Sequence, residues 1–138
     1  MKKFICILSI LTQAMALCAK NYYVSPQGKD KNNGLSKSKA FVSLAQAQAL
    51  VAPGDTIFIM PGTYKVKQKD LMAPTYQKVY AVAFLLDKSG TAQKRISYIG
   101  MTDDQGKRPV FDFSEVKPDA RITGFLLRGS YLHIKNIE

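Results

Sequence analysis

Two Pro-Gly pairs, Pro53-Gly54 and Pro61-Gly62, bracket a short run in which Ile57 and Ile59 alternate with Thr56, Phe58 and Met60. Proline fixes φ and removes a backbone donor, so the run is punctuated at both ends and is too short for a helix. Its β-branched and aromatic content, read with a period of two, specifies a strand with Ile57 and Ile59 on the buried face and Thr56 on the other. Any fold this chain adopts has to be built on that strand.

Just upstream, Ser43-Leu44-Ala45-Gln46 has the form of a capping box, with Ser43 as N-cap and Gln46 reaching back. Leu44, Ala47 and Val51 follow on one narrow stripe, and Ala52-Pro53-Gly54 ends the segment, which predicts a two-turn helix lying on a core. A helix so placed would cover the open end of a coiled sheet and its unpaired edge. The other segments read as strands: Tyr22–Ser25, Val79–Leu86 (apolar enough to be buried on both faces), Ile96–Gly100, Val110–Phe113, Gly124–Gly129 and Tyr131–Glu138. Phe111 and Phe113 share one face opposite Asp112, and Leu132 and Ile134 point inward while His133 and Lys135 point outward. Asn136 suits a left-handed bend between two strands. Between Pro26 and Ser38, Gly28, Asn32, Asn33 and Gly34 suit positive φ. Lys65–Asp70 reads as a solvated loop. The strands recur at uneven intervals, so spacing alone leaves a coiled solenoid and an antiparallel sandwich both open.

The amino terminus has the three regions of an export signal: basic Lys2 and Lys3, an apolar core from Phe4 to Leu11, and small residues at Ala14, Ala16 and Ala19. Thr12 and Gln13 cut the apolar run short of the roughly 20 residues a membrane span needs. Residues 1–19 are therefore assigned as a signal peptide, with cleavage after Ala16 as the alternative, and no stable membrane anchor is expected. Both cysteines, Cys6 and Cys18, lie within it, so a mature chain starting at Lys20 has no disulfide framework and no thiol nucleophile. Cleavage leaves 20 − 2 = 18 basic against 10 acidic residues, a balance of +8. In an exported protein that balance points to an acidic glycan or cell envelope rather than nucleic acid.

Candidate chemistry in the residues is sparse. Asp30-Lys31-Asn32-Asn33-Gly34 departs from calcium-loop spacing, because Gly34 is one place early and no closing glutamate follows. It is read as an Asx-rich structural turn. Asp103-Asp104 is the one local acid pair and falls in a polar turn. His133 is a lone histidine without an identifiable partner. Arg121, Arg128, Lys117 and Lys135 are candidates for a polyuronate-binding patch.

Tyr22-Tyr23-Val24-Ser25-Pro26, the Asn33-Gly34 turn, Ala40-Phe41 and the stretch from Pro53 to Tyr64 resemble the start of secreted pectate-lyase-like β-helix proteins. Lys88–Thr91 with Lys94–Tyr98, Val110–Ser114, Gly124–Leu126 and Tyr131–Lys135 are most similar to family 9 polysaccharide lyases. Ala40, where that family has proline, and the shortened approach Val51-Ala52 are departures. The resemblance implies an all-β fold: the first coils of a right-handed parallel β-helix, with a short N-terminal capping helix. It also implies that residues 20–138 are the N-terminal part of such a domain, cut short at the carboxyl end, because Glu138 falls within a coil. The implied activity is β-elimination on pectate or a related acidic polysaccharide, assisted by calcium in the full-length family. The family's calcium acids and catalytic lysine lie in later coils. The chain is thus assigned no catalytic residue, no metal ligand, no defined substrate-binding residue and no activity of its own. A non-catalytic glycan-binding or envelope module is the alternative.

Overall fold

The computed structural model describes residues 18–72, 80–117 and 121–138. Within them lie β1 (Asn21–Val24), α1 (Leu44–Leu50), β2 (Thr56–Ile59), β3 (Gly62–Lys65), β4 (Tyr80–Leu86), β5 (Ile96–Gly100), β6 (Pro109–Asp112), β7 (Arg121–Leu127) and β8 (Leu132–Lys135). Every ladder joining these strands is parallel. One sheet runs β1-β2-β5-β8, a second pairs β3 with β6, and a third pairs β4 with β7. The chain visits the three sheets in rotation and lays each strand on its counterpart one coil earlier. Such a path is a parallel β-helix, and it disposes of the antiparallel sandwich. Ile57 is in register with Tyr98 and Tyr98 with Ile134, so a coil takes about 40 residues, within the range for stacked repeats.

Alternation on β2 works as its sequence requires: Ile57 and Ile59 are fully buried, with Thr56 and Phe58 half-buried on the other face. They join Tyr22, Val24, Ile96 and Tyr98 in one core with the inward residues of the other two sheets. Aromatic rings line that core from coil to coil. Tyr64 stacks on Phe111 at 5.0 Å and Phe84 on Phe125 at 5.0 Å, while Phe84 and Phe125 meet Phe111 edge-on at 4.9 and 5.3 Å. Each such pair contributes about 0.5–1.5 kcal/mol beyond its buried area.

The head of the coil is closed in two ways. Helix α1 lies against β1 and β4 and buries Leu44, Ala47 and Gln48. The backbone edge of β1 is satisfied instead by the loop before the helix. Tyr23 N donates to Gly34 O at 2.7 Å, Phe41 N to Tyr23 O at 2.9 Å, and Ser25 N to Phe41 O at 2.8 Å. Gly34 reaches this position with φ +70, and a Cβ there would overlap the Phe41 ring.

The capping box forms by half. Ser43 Oγ accepts from Gln46 N, but the Ser43 backbone N–H is taken by Asp30 Oδ1 at 2.9 Å, which also accepts from Val42 N. The Asx turn expected around Asp30 thus doubles as the reciprocal cap.

Several local expectations are corrected. Gly28, Asn32 and Asn33 do not adopt positive φ. Gly28 is instead needed for a close approach, since a Cβ would lie 2.1 Å from the Phe41 carbonyl oxygen. Lys65–Asp70 is not simply a solvated loop: Val66 is buried against Ala83 and Val116, and Gln68–Asp70 forms a 3-10 turn. The strand read from Gly124 begins earlier, at Arg121. Ile134 is 38% exposed, because β8 is the outermost strand of its sheet and nothing described stacks on it. Asn136 takes the left-handed bend at φ 57, and Glu138 then pairs with Pro109 and Phe111. Tyr131, at φ 55, makes a second such bend that its residue type did not announce. The signal assigned to residues 1–19 lies outside the described residues as far as Leu17, as does Val79 at the head of the fourth strand.

Candidate functional site

A cavity of about 420 Å³ opens between α1 and the end of β4. Its floor is apolar, from Leu44, Ala45 and Ala49 on the helix, Ala83 and Leu85 on the strand, and Met72. Its rim carries Asp70, Asp87 and Lys88. The geometry follows from the fold: the helix packs on the coil through Leu44, Ala47 and Gln48, and β4 ends at Leu86, leaving the next two polar residues at the mouth. An apolar floor with a few polar groups at the rim is the usual form of a small-molecule or sugar subsite. The two carboxylates accept hydrogen bonds from hydroxyl groups and repel a uronate carboxylate. With Lys88 offsetting one of them, the rim keeps a formal charge of −1.

Asp87 is held in place from below. Gln48 is buried; its Nε2 donates to Asp87 Oδ1 at 3.2 Å, and its Oε1 accepts from the Tyr98 hydroxyl. Burial pushes the Tyr98 phenol well above the ordinary tyrosine range, and the Asp87 charge pushes it the same way. Tyr98 is therefore a neutral donor at any physiological pH. Tyr64 behaves alike: burial raises its phenol, whose hydroxyl lies 2.8 Å from Met60 O and 3.0 Å from Val24 O. Both tyrosines tie backbone or helix to the coil and are not placed to move a proton to a substrate.

The structure does not gather the candidates singled out in the sequence. Asp103 accepts from Gln105 N and Lys107 N, both at 2.9 Å, which makes it the anchor of a tight corner as expected of a structural acid. His133 stands exposed on the outer face of the four-stranded sheet, opposite Ser97. Arg121 and Arg128 lie at opposite ends of β7, about 20 Å apart at strand rise. Lys135 belongs to a different sheet, and Lys117 is fixed by its backbone N–H to Gln68 Oε1 at 3.0 Å. These four make no single patch. Among the described residues no three His, Cys, Asp or Glu side chains converge as metal ligands. Calcium wants six to eight oxygens, so the residues present do not fit that ion.

Two features escaped the sequence reading. Gln48 sits four residues after Leu44 on the apolar stripe, and that placement was the available signal that its amide is a core group. Asp55 is only 4% exposed, although it follows Pro-Gly in what reads as an ordinary turn.

Comparison with known proteins agrees with the architecture. A family model described as the Pel9A-like right-handed β-helix region matches residues 22–138. Pectate lyase L of Dickeya dadantii (strain 3937) is 36% identical over 121 residues, a match covering 85% of this chain and 25% of that protein. Pectate lyase L of Dickeya chrysanthemi gives the same identity and coverage. The chain thus spans a quarter of the length of these relatives. Among solved structures, a rhamnogalacturonan lyase superposes with a TM-score of 0.77 at 40% identity, covering 86% of this chain and 28% of that one. Pectate lyase Pel9A superposes with a TM-score of 0.58 at 29% identity, covering 88% and 28%. No helix among the described residues is long and apolar enough to cross a membrane. Strand by strand and in its family match, this chain belongs to the Pel9A-like right-handed β-helix family of polysaccharide lyases.

Proposed function

We propose that the chain forms the head and opening coils of an exported polysaccharide lyase acting on pectate or a related acidic polysaccharide by calcium-assisted β-elimination. The observation that carries this reading is the combination of a complete coil entrance, α1 and its loop sealing β1, with relatives named as pectate and rhamnogalacturonan lyases. In this reading the chemistry belongs to coils beyond these residues. Asp30 and Asp103 serve a cap and a corner, Glu115 and Glu138 sit in exposed ion pairs, and no step of elimination is assigned to any described acid. What the chain supplies is a sealed end for the coil, a basic surface and the α1–β4 cavity, whose rim suits a neutral sugar better than a uronate.

The test is an ultraviolet assay for the unsaturated product, run on residues 20–138 with pectate and with rhamnogalacturonan in the presence of calcium. Retention on each polymer is measured beside it at rising salt. The expected result is no product, with retention that weakens as salt screens the +8 surface over about 8 Å at physiological ionic strength. Calcium-dependent product from this chain alone would contradict the placement of the chemistry outside it.

A further inference from the structure

Asp55 is a buried carboxylate whose recorded partners are two backbone N–H groups: Lys20 N donates to Oδ1 at 2.8 Å, and Ala52 N to Oδ2 at 2.9 Å. The ion pairs found among the described residues, Lys65 with Glu115 and Arg108 with Glu138, lie elsewhere and are exposed. A carboxylate this buried is costly without a counter-charge. One of its two donors is the nitrogen of Lys20, the residue after Ala19 in the export-signal pattern, and residues 18–20 are exposed.

We infer that hydrolysis of the Ala19–Lys20 peptide bond creates the counter-ion of Asp55. One water adds across the C–N bond, leaving a carboxylate on Ala19 and a free amine on Lys20. An α-amine takes up a proton at ordinary pH, since its usual pKa is about 7.7–8.0. The nitrogen that was a neutral amide donor becomes an ammonium already in contact with Asp55 Oδ1.

The pair locks the head of the coil. Lys20 O accepts from Thr56 N at 2.9 Å, so Lys20 is stitched to β2 immediately beside Asp55. Asp55 O accepts from Ser97 N at 3.0 Å, and its Oδ2 holds the end of α1 through Ala52. The ammonium thereby joins β1, the exit of the helix and the first two coils at one corner. The aliphatic part of the Lys94 side chain and the Ala19 Cβ pack around Gly54 at the same corner, 3.6–3.8 Å from where a Cβ on that glycine would stand. Cleavage after Ala16 would leave three more residues ahead of Lys20 and keep its nitrogen an amide, so the contact selects one of the two candidate cleavage bonds. The inference rests on the export reading and goes beyond the lyase assignment.

The full chain is exported from a bacterial host, and the mature protein is analysed by N-terminal sequencing and by amine acylation at neutral pH. The expected sequence starts at Lys20, and its α-amine reacts at least about tenfold more slowly than in Asp55→Asn, equivalent to one pKa unit. A second variant, with one alanine inserted between Ala19 and Lys20 and Asp55 kept, should fold with an unchanged circular dichroism spectrum. Its amine should react at the ordinary rate. A mature protein beginning elsewhere overturns the inference at the cleavage step. A start at Lys20 with equal acylation rates in the parent and the alanine-insertion variant overturns the ion pair. Lyase assays enter neither readout, so failure of the functional reading would leave both interpretable.

Discussion

The hydroxyl of Tyr98, in the second coil, donates to the side-chain carbonyl of Gln48 on the helix that closes the first. Both groups are buried, and Gln48 passes the link on to Asp87 at the rim of the cavity. Removing one partner leaves the other desolvated and unpaired. Tyr98→Phe should therefore cost about 1–3 kcal/mol, read from the denaturant midpoint. Replacing both, as Tyr98→Phe with Gln48→Met, should cost less than the sum of the single changes, because no orphaned carbonyl remains. Additive losses would show that the pair is not coupled.

Alkaline pH should expose the same burial. Tyr64 and Tyr98 hold their protons in the folded state well above the ordinary range, chiefly through burial. In the unfolded chain they ionise near pH 10. Below that pH both states are protonated and these tyrosines add their full stability. Above it the unfolded state sheds protons that the folded state keeps, so stability falls as pH rises. Unfolding midpoints measured from about pH 8 to about pH 11 should decline beyond about pH 10. Tyr98→Phe should flatten the decline, which separates the phenols from the lysines titrating in the same range. A decline unaltered by that change would contradict the assignment.

What the sequence made legible, and what it hid, follows from range. Ile57 and Ile59, the Ser43 cap and the Asn136 bend are local signals, carried by neighbours a few positions away. The coil period was hidden because its corners differ in length. Met60-Pro61 joins β2 to β3, residues 101–108 join β5 to β6, and Asn136 alone leads out of β8. Identical stacking therefore leaves no fixed spacing in the chain. Asp30 and Asp55 were hidden for a related reason. Each looks like a turn former, and what makes them caps is a backbone N–H brought from 12 to 35 residues away. The α1–β4 cavity was illegible for the same cause, since its walls come from distant segments.

Ile59 is fully buried in β2, so Ile59→Asp would place an unpaired charge in the coil interior. The expected loss is several kcal/mol, enough to unfold a single domain of this size. Circular dichroism of the purified variant checks it. A cooperative transition at the parent midpoint would mean that the register of β2 is wrong.

Asp30→Ala removes the acceptor of the Val42 and Ser43 backbone N–H groups at the entrance to α1. A loss of about 0.5–2 kcal/mol is expected, as for other helix caps, and Asp30→Asn, which keeps one oxygen, should lose less. Equal losses for the two variants would show that the carboxylate's charge, rather than its acceptor geometry, is what holds the cap.

The account stands or falls on whether these residues serve as the head of a lyase coil. The most direct measurement replaces the matched segment of pectate lyase L with residues 20–138 of this chain and assays the chimera for unsaturated product. The predicted result is cleavage of pectate by the chimera, because the grafted head offers the parallel edges of its own sheets to the coils that follow. A chimera that folds, shown by a cooperative thermal transition, yet forms no product would contradict the account.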